Sequence, residues 1–157
     1  MKMTRRQAAA AAIATAIAIP AEGLRQYAYY DPPGILTVCY GSTTDVQKGK
    51  QYSLAECKQR LDADMQKAVK QVDYCTNSQL PEKVLAAFSD AAYNVGPKIA
   101  CDTRVSTAAR LLRDGAYRQA CEQLPRWNKA KIAGVSVALP GLTKRRAEEM
   151  RICLQGV

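Results

Sequence analysis

The chain has no histidine, only one phenylalanine and one tryptophan, and no C-x-x-C pair among its six cysteines. Without imidazole there is no Ser-His or Cys-His nucleophile pair, no imidazole acid–base catalyst and no common zinc-hydrolase donor set. Without closely paired thiols a thiolate zinc site is not indicated either. Carboxylates remain for any acid–base chemistry, and neither cofactor nor metal is called for. Long hydrophobic runs are also missing. The most extended uncharged stretch, residues 7–21, is 15 residues rich in alanine. As a helix it would be ~22 Å long, short of the ~30 Å hydrocarbon core of a bilayer. Acidic charge is scarce as well. Lys and Arg number 23 against 14 Asp and Glu, a net +9, and a field of that sign favours anionic partners.

The 157 residues suit one domain with its own core. Lys2, Arg5 and Arg6 precede the alanine-rich stretch. That order matches the n-region and h-region of an export signal, with the positive end kept on the cytoplasmic side. An ordinary buried or amphipathic helix is the plainer reading, weakened by the lack of a polar face. The even set Cys39, Cys57, Cys75, Cys101, Cys121 and Cys153 agrees with an oxidising compartment and three disulfides. Sequence alone leaves the pairing open.

Past residue 21, Pro32, Pro33 and Gly34 indicate a turn, and ILTVCY (35–40) is β-branched enough to start a hairpin with Gly41 at its bend. It is the one convincing β pattern. S-L-A-E at 53–56 is a capping box. Leu54, Cys57, Leu61, Met65, Ala68, Val69 and Val72 then recur at helical spacing, predicting a long helix over 54–73. Pro81 and Gly96 bracket a second, buried helix. Further helices are expected over 103–114, 116–124 and 143–154. No repeat or interdomain linker is visible.

Hydrolysis of a glycosidic bond requires one protonated carboxyl for the leaving oxygen and a second, ionised group opposite it. Glu22 lies among Ile19, Pro20, Ala21 and Leu24, apolar neighbours of the kind that favour a protonated carboxyl. Asp31 stands at a polar, proline-flanked loop. Thr37, two residues past Ile35, is placed to hold a water beside Asp31. Spacing alone is weak support, since a surface charge and a helix cap would look the same.

The surrounding motifs add to it. EGLR (22–25), YYD (29–31), GILTVCYG (34–41), YSLAEC (52–57), YNVG (93–96), RW (126–127) and GLTKRRAEE (141–149) occur in this order. Together they resemble phage-type lysozymes over essentially the whole chain, in particular lambdoid endolysins with a signal-arrest-release N-terminus. The resemblance implies an α+β, mainly helical lysozyme fold: a small lobe with a β-hairpin, a long connecting helix and a helical large lobe. It implies an inverting muramidase acting on the β-1,4 bond between N-acetylmuramic acid and N-acetylglucosamine of peptidoglycan, causing host-cell lysis. Glu22 would be the general acid, and Asp31 with Thr37 would position the attacking water. Tyr30, Leu36, Tyr93 and Asn94 would contact substrate, and Arg145 would be the ion-pair partner of Glu22. A cation beside a carboxyl lowers its proton affinity, a tension the resemblance leaves standing. Ser42 and Leu36 depart from the family, which commonly has His and an aromatic there.

The implied organisation is a signal or signal-arrest-release segment over 1–21 and a catalytic domain over 22–157. The enzyme is expected to be a monomer, tethered to the host inner membrane through its N-terminal segment and then released into the periplasm. One alternative is a conventionally secreted lysozyme, since A-T-A (14–16) and A-I-A (16–18) could pass as signal-peptidase sites. Another is a non-catalytic, cationic, disulfide-stapled domain that binds peptidoglycan or membrane. Nucleic acid is not an expected partner, because the basic residues are scattered and export separates the protein from the genome. Among the pairings, Cys39–Cys57 would tie the hairpin to the long helix and Cys121–Cys153 two helices of the large lobe, leaving Cys75–Cys101.

Overall fold

A computed structural model describes residues 2–157. The alanine-rich segment forms α1 (Arg5–Glu22), which starts at a capping box in which Thr4 and Gln7 exchange hydrogen bonds. It ends at Gly23, whose φ of 69° ends the helical path. The chain then makes an antiparallel hairpin of β1 (Arg25–Tyr30) and β2 (Leu36–Cys39), pairing Tyr29 with Thr37 and Tyr30 with Leu36. The long helix α2 (Leu54–Cys75) follows, capped by Ser53. The central helix is α3 (Glu82–Val95), and every residue from Val84 to Ala92 is buried. Such a helix, covered on all sides, is the axis of a core rather than its wall. Around it run α4 (Lys98–Cys101), α5 (Thr107–Arg113), α6 (Tyr117–Gln123) and a 3-10 turn at Leu124–Arg126. A second hairpin, β3 (Lys129–Ile132) with β4 (Val135–Ala138), precedes the last helix, α7 (Pro140–Gln155).

The α1 helix is an integral wall of this core. Ala10, Ala14, Ile17 and Ala18 are buried, and α1 packs against α3, α2 and α7. Alanine is what allows the close approach, since its methyl leaves little standoff between helix axes. The start of the helix is fixed by polar contacts. Asp73, buried near the end of α2, accepts from Arg6 and Gln7, and Arg6 also donates to the Leu80 carbonyl at 2.8 Å. Among the described residues no helix is long and apolar enough to cross a membrane.

The α+β lysozyme architecture and the long connecting helix are as expected from the sequence, and the disulfides are Cys39–Cys57, Cys75–Cys101 and Cys121–Cys153. Several details differ. The RQYAYY strand was not anticipated, and the first hairpin bends at residues 31–35, where Gly34 has φ 89° and its N–H reaches the Asp31 carbonyl at 2.8 Å. Gly41 instead lies within a tight loop closed by a Val38–Ser42 bridge. The second hairpin was missed outright. Its strands alternate Lys-Ala-Lys-Ile and Val-Ser-Val-Ala around Ala133 and Gly134, both at positive φ, the conformation of a two-residue hairpin turn. The helix expected over 103–114 starts later, at Thr107, because Ser106 caps it through its side chain, and the short α4 before it was not anticipated. Ile19 is 40% exposed, so the apolar wall expected for Glu22 on that side is absent.

Candidate active site

Glu22 is the last residue of α1, so the docking of that helix delivers its carboxyl to the junction of α3, α7 and the small lobe. There Oε1 accepts from the Arg145 guanidinium of α7. Oε2 lies against the backbone of Gly41, where an added Cβ would come within 3.0 Å of it and 3.4 Å of the Tyr93 hydroxyl. Tyr93, on α3, donates its hydroxyl to the Tyr40 carbonyl, tying the large lobe to the loop that holds Gly41. Burial beside Glu22 pushes the Tyr93 phenol well up, so it stays a donor.

Arg145 is nearly buried and does more than meet Glu22. Its Nε and second terminal nitrogen donate to the two oxygens of Asp90 at 2.9 and 2.7 Å, and Asp90 is fully buried on α3. Burial alone would ease loss of the guanidinium proton. The paired hydrogen bonds to Asp90 and the charges of Asp90 and Glu22 outweigh it and raise the Arg145 pKa. Arg146 and Glu149, both fully buried, sit behind, with Glu149 Oε1 2.6 Å from Arg146 and 3.9 Å from Arg145. Burial, with Asp90 beside it, pushes the Glu149 carboxyl well above the usual carboxylate range. Its Oε2 is buried without a hydrogen-bond partner.

Across the site, Asp31 closes its own turn: Oδ1 accepts the Ile35 N–H at 2.7 Å, leaving Oδ2 without that bond. Thr37 is buried and donates to the Ile35 carbonyl at 2.8 Å, so its lone pairs remain to accept from a water. Tyr29 pairs with Thr37 across the hairpin. Burial raises its phenol pKa, with Glu22 and Asp31 adding to the rise and Arg25 opposing it. Tyr29 therefore stands in the field of both carboxylates.

The structure thus brings Glu22, Arg145 and Tyr93 together, and Asp31 and Thr37 onto the facing hairpin. Leu36 is half-buried opposite Tyr30, which is 59% exposed with Lys48 over its ring. Asn94 is turned to Arg146, which donates to its Oδ1 at 2.8 Å. Ser42, where the family commonly has His, is buried and accepts from Arg60 at 3.1 Å. Sequence reasoning missed Asp90, Gly41 and Tyr29. For Asp90 a cue existed, an acid in a helix otherwise read as buried; for Gly41 the cue was spent on a hairpin bend.

The phage lysozyme family model matches residues 20–149, which include every one of these groups. The chain belongs to the phage lysozyme family. The SAR-endolysin of bacteriophage PS119 is 38% identical over 136 residues, covering 86% of this chain and 77% of that protein. The SAR-endolysin of Pseudomonas phage phiKMV is 34% identical over 154 residues, covering 98% and 92%. Among solved structures, the endolysin from Escherichia coli O157:H7 phage FAHEc1 superposes with a TM-score of 0.76 at 27% identity, covering 100% of this chain and 96% of that one. This phage lysozyme is a glycoside hydrolase, a peptidoglycan-lysing endolysin whose substrate is peptidoglycan.

Proposed function

We propose that Glu22 is the general acid of an inverting muramidase that cleaves the β-1,4 bond between N-acetylmuramic acid and N-acetylglucosamine. Asp31, with its uncommitted Oδ2, takes a proton from water while Thr37 orients that water. The carrying observation is that Glu22 sits at the lobe junction, fixed by Arg145 and the Gly41 backbone, with Asp31 and Thr37 on the opposing hairpin. Arg145 holds the acid, and Tyr93 ties the Gly41 loop beside it; Tyr30 and Leu36 line the hairpin face toward the sugar. Glu22→Gln keeps the hydrogen bond from Arg145 but has no proton to give. Reducing-end release from purified peptidoglycan should fall about 10²–10⁴-fold with little change in melting temperature. Wild-type-like turnover would end the assignment. Asp31→Asn should cost a comparable factor, and Thr37→Ala less.

Residues 1–21 also act, in this reading, as a signal-anchor that tethers the monomer to the host inner membrane before release into the periplasm. The tethered chain would be inactive, because α1 cannot lie in the bilayer and against α3 at once. Support comes from the chemistry of α1: uncharged over 7–21, poor in apolar area so that escape is easy, and complementary to α2 and α3 once released. Ala8 and Ala12 are exposed in the folded enzyme while Ala10 and Ala14 are buried. Ala8→Leu with Ala12→Leu should therefore delay lysis in cells by strengthening membrane retention, while the purified soluble enzyme keeps its activity. Unchanged timing, with a mature N-terminus mapped after Ala16 or Ala18, would make the segment an ordinary cleaved signal.

A further inference from the structure

An acid catalyst has to hold its proton, yet Glu22 accepts from a guanidinium whose charge favours proton loss. The arrangement of α3 and α7 contains an answer. Arg145 has one buried face and one face toward the site, and the buried face is fully taken by Asp90, at 2.7 and 2.9 Å in a two-point contact. Asp90 is 0% exposed, and both of its carboxylate oxygens accept from Arg145, with Glu149 its other close neighbour. Bidentate guanidinium–carboxylate pairing fixes both orientation and charge. We propose that Asp90 is a positioning residue for catalysis: it neutralises Arg145 from behind, so that the remaining N–H orients the Glu22 carboxyl without stripping its proton. This rests on the reading of Glu22 as general acid.

The other groups around Glu22 do not perform this function. On α3, Tyr93 stays protonated and engages the Tyr40 carbonyl. On the small lobe, Tyr29 is a neutral phenol, Arg25 lies over its ring, and Asp31 is committed at one oxygen to its own turn. On α7, Glu149 accepts from Arg146 and its carboxyl is pushed up by burial and by Asp90, and it is 3.9 Å from Arg145 against 2.7 Å for Asp90. The compensation of Arg145 therefore falls to Asp90.

The test is the pH dependence of kcat/KM for peptidoglycan hydrolysis, whose alkaline limb reports loss of the proton from the acid in the free enzyme. In Asp90→Asn, Arg145 is unbalanced, and the limb should move about one pH unit toward acid, with the rate at low pH retained within a few-fold. Adding Arg145→Gln removes the cation as well and should return the limb to the wild-type position, at lower kcat because orientation is lost. Where Asp90→Asn alone does not fold, the other half of the cycle carries the test. Arg145→Gln leaves the Asp90 carboxylate unbalanced and should move the limb toward alkaline, and the double variant should bring it back. Carbon-13 titration of the Glu22 carboxyl in the same variants reads the effect without turnover. A rate loss equal at all pH values, with limb and titration unmoved, makes Asp90 merely structural and overturns the inference. Activity surviving in Glu22→Gln overturns the assignment of the acid instead, so the two failures are distinct.

Discussion

A side chain at Gly41 would meet Glu22 Oε2 at 3.0 Å on a backbone with φ +89°, where L residues are strained. Gly41→Ala should accordingly displace the carboxyl and reduce turnover at least about tenfold, since small misplacements of a reacting group are costly; it should lower stability by about 1 kcal/mol. Peptidoglycan turnover beside thermal unfolding separates the two effects. Glu149 gives a pH-dependent expectation. Its folded pKa is raised, so the native state holds a proton that the unfolded chain gives up from the ordinary carboxylate range upward. The unfolded state then binds fewer protons, and stability drops as pH rises from that range toward neutral. Glu149→Gln should flatten this fall, measured as a smaller melting-temperature difference between pH 4 and pH 7 than in wild type. At this scale Glu22, Asp31, Thr37 and Arg145 were legible through spacing and resemblance. Asp90 and Glu149 were not, because their role depends on which helices face each other, and no local pattern encodes that.

At the scale of elements, α1 is held at both ends: Arg6 and Gln7 satisfy the buried Asp73, and Glu22 closes on Arg145. Arg6→Ala leaves Asp73 with Gln7 alone and opens the Leu80 carbonyl. The expected loss is about 1–3 kcal/mol, read as a lower denaturant midpoint, with faster amide exchange concentrated in α1. The helices α2 and α3 could be read in advance because their apolar spacing is regular and their ends carry caps, Ser53 and Gly96. The second hairpin could not, for a physical reason. Its apolar residues Ile132, Val135 and Val137 are exposed and its strands are four residues each, so little burial distinguishes them from a loop. The RQYAYY strand is likewise only partly buried and interrupted by a bulge, which breaks the alternation on which a strand is recognised.

For the whole molecule, with Glu22 as the proposed acid, the docked helix makes catalysis and assembly of the core one event. Glu22 enters the site only with α1, and α1 remains only while Ala10, Ala14, Ile17 and Ala18 stay against α3 and its neighbours. The fraction of molecules able to turn over should therefore follow a binding equilibrium between a helix and the body that receives it. A chain beginning after residue 22 would lack its wall and the proposed acid together. A synthetic peptide of residues 4–22 supplies both, and should restore turnover to that body in trans, saturably, with an apparent Kd obtained from the titration. The same peptide carrying Glu22→Gln should compete for the vacant groove and restore nothing. In those terms the enzyme carries its own activator as a detachable part, and the affinity of that part for the groove sets how much of the population is armed.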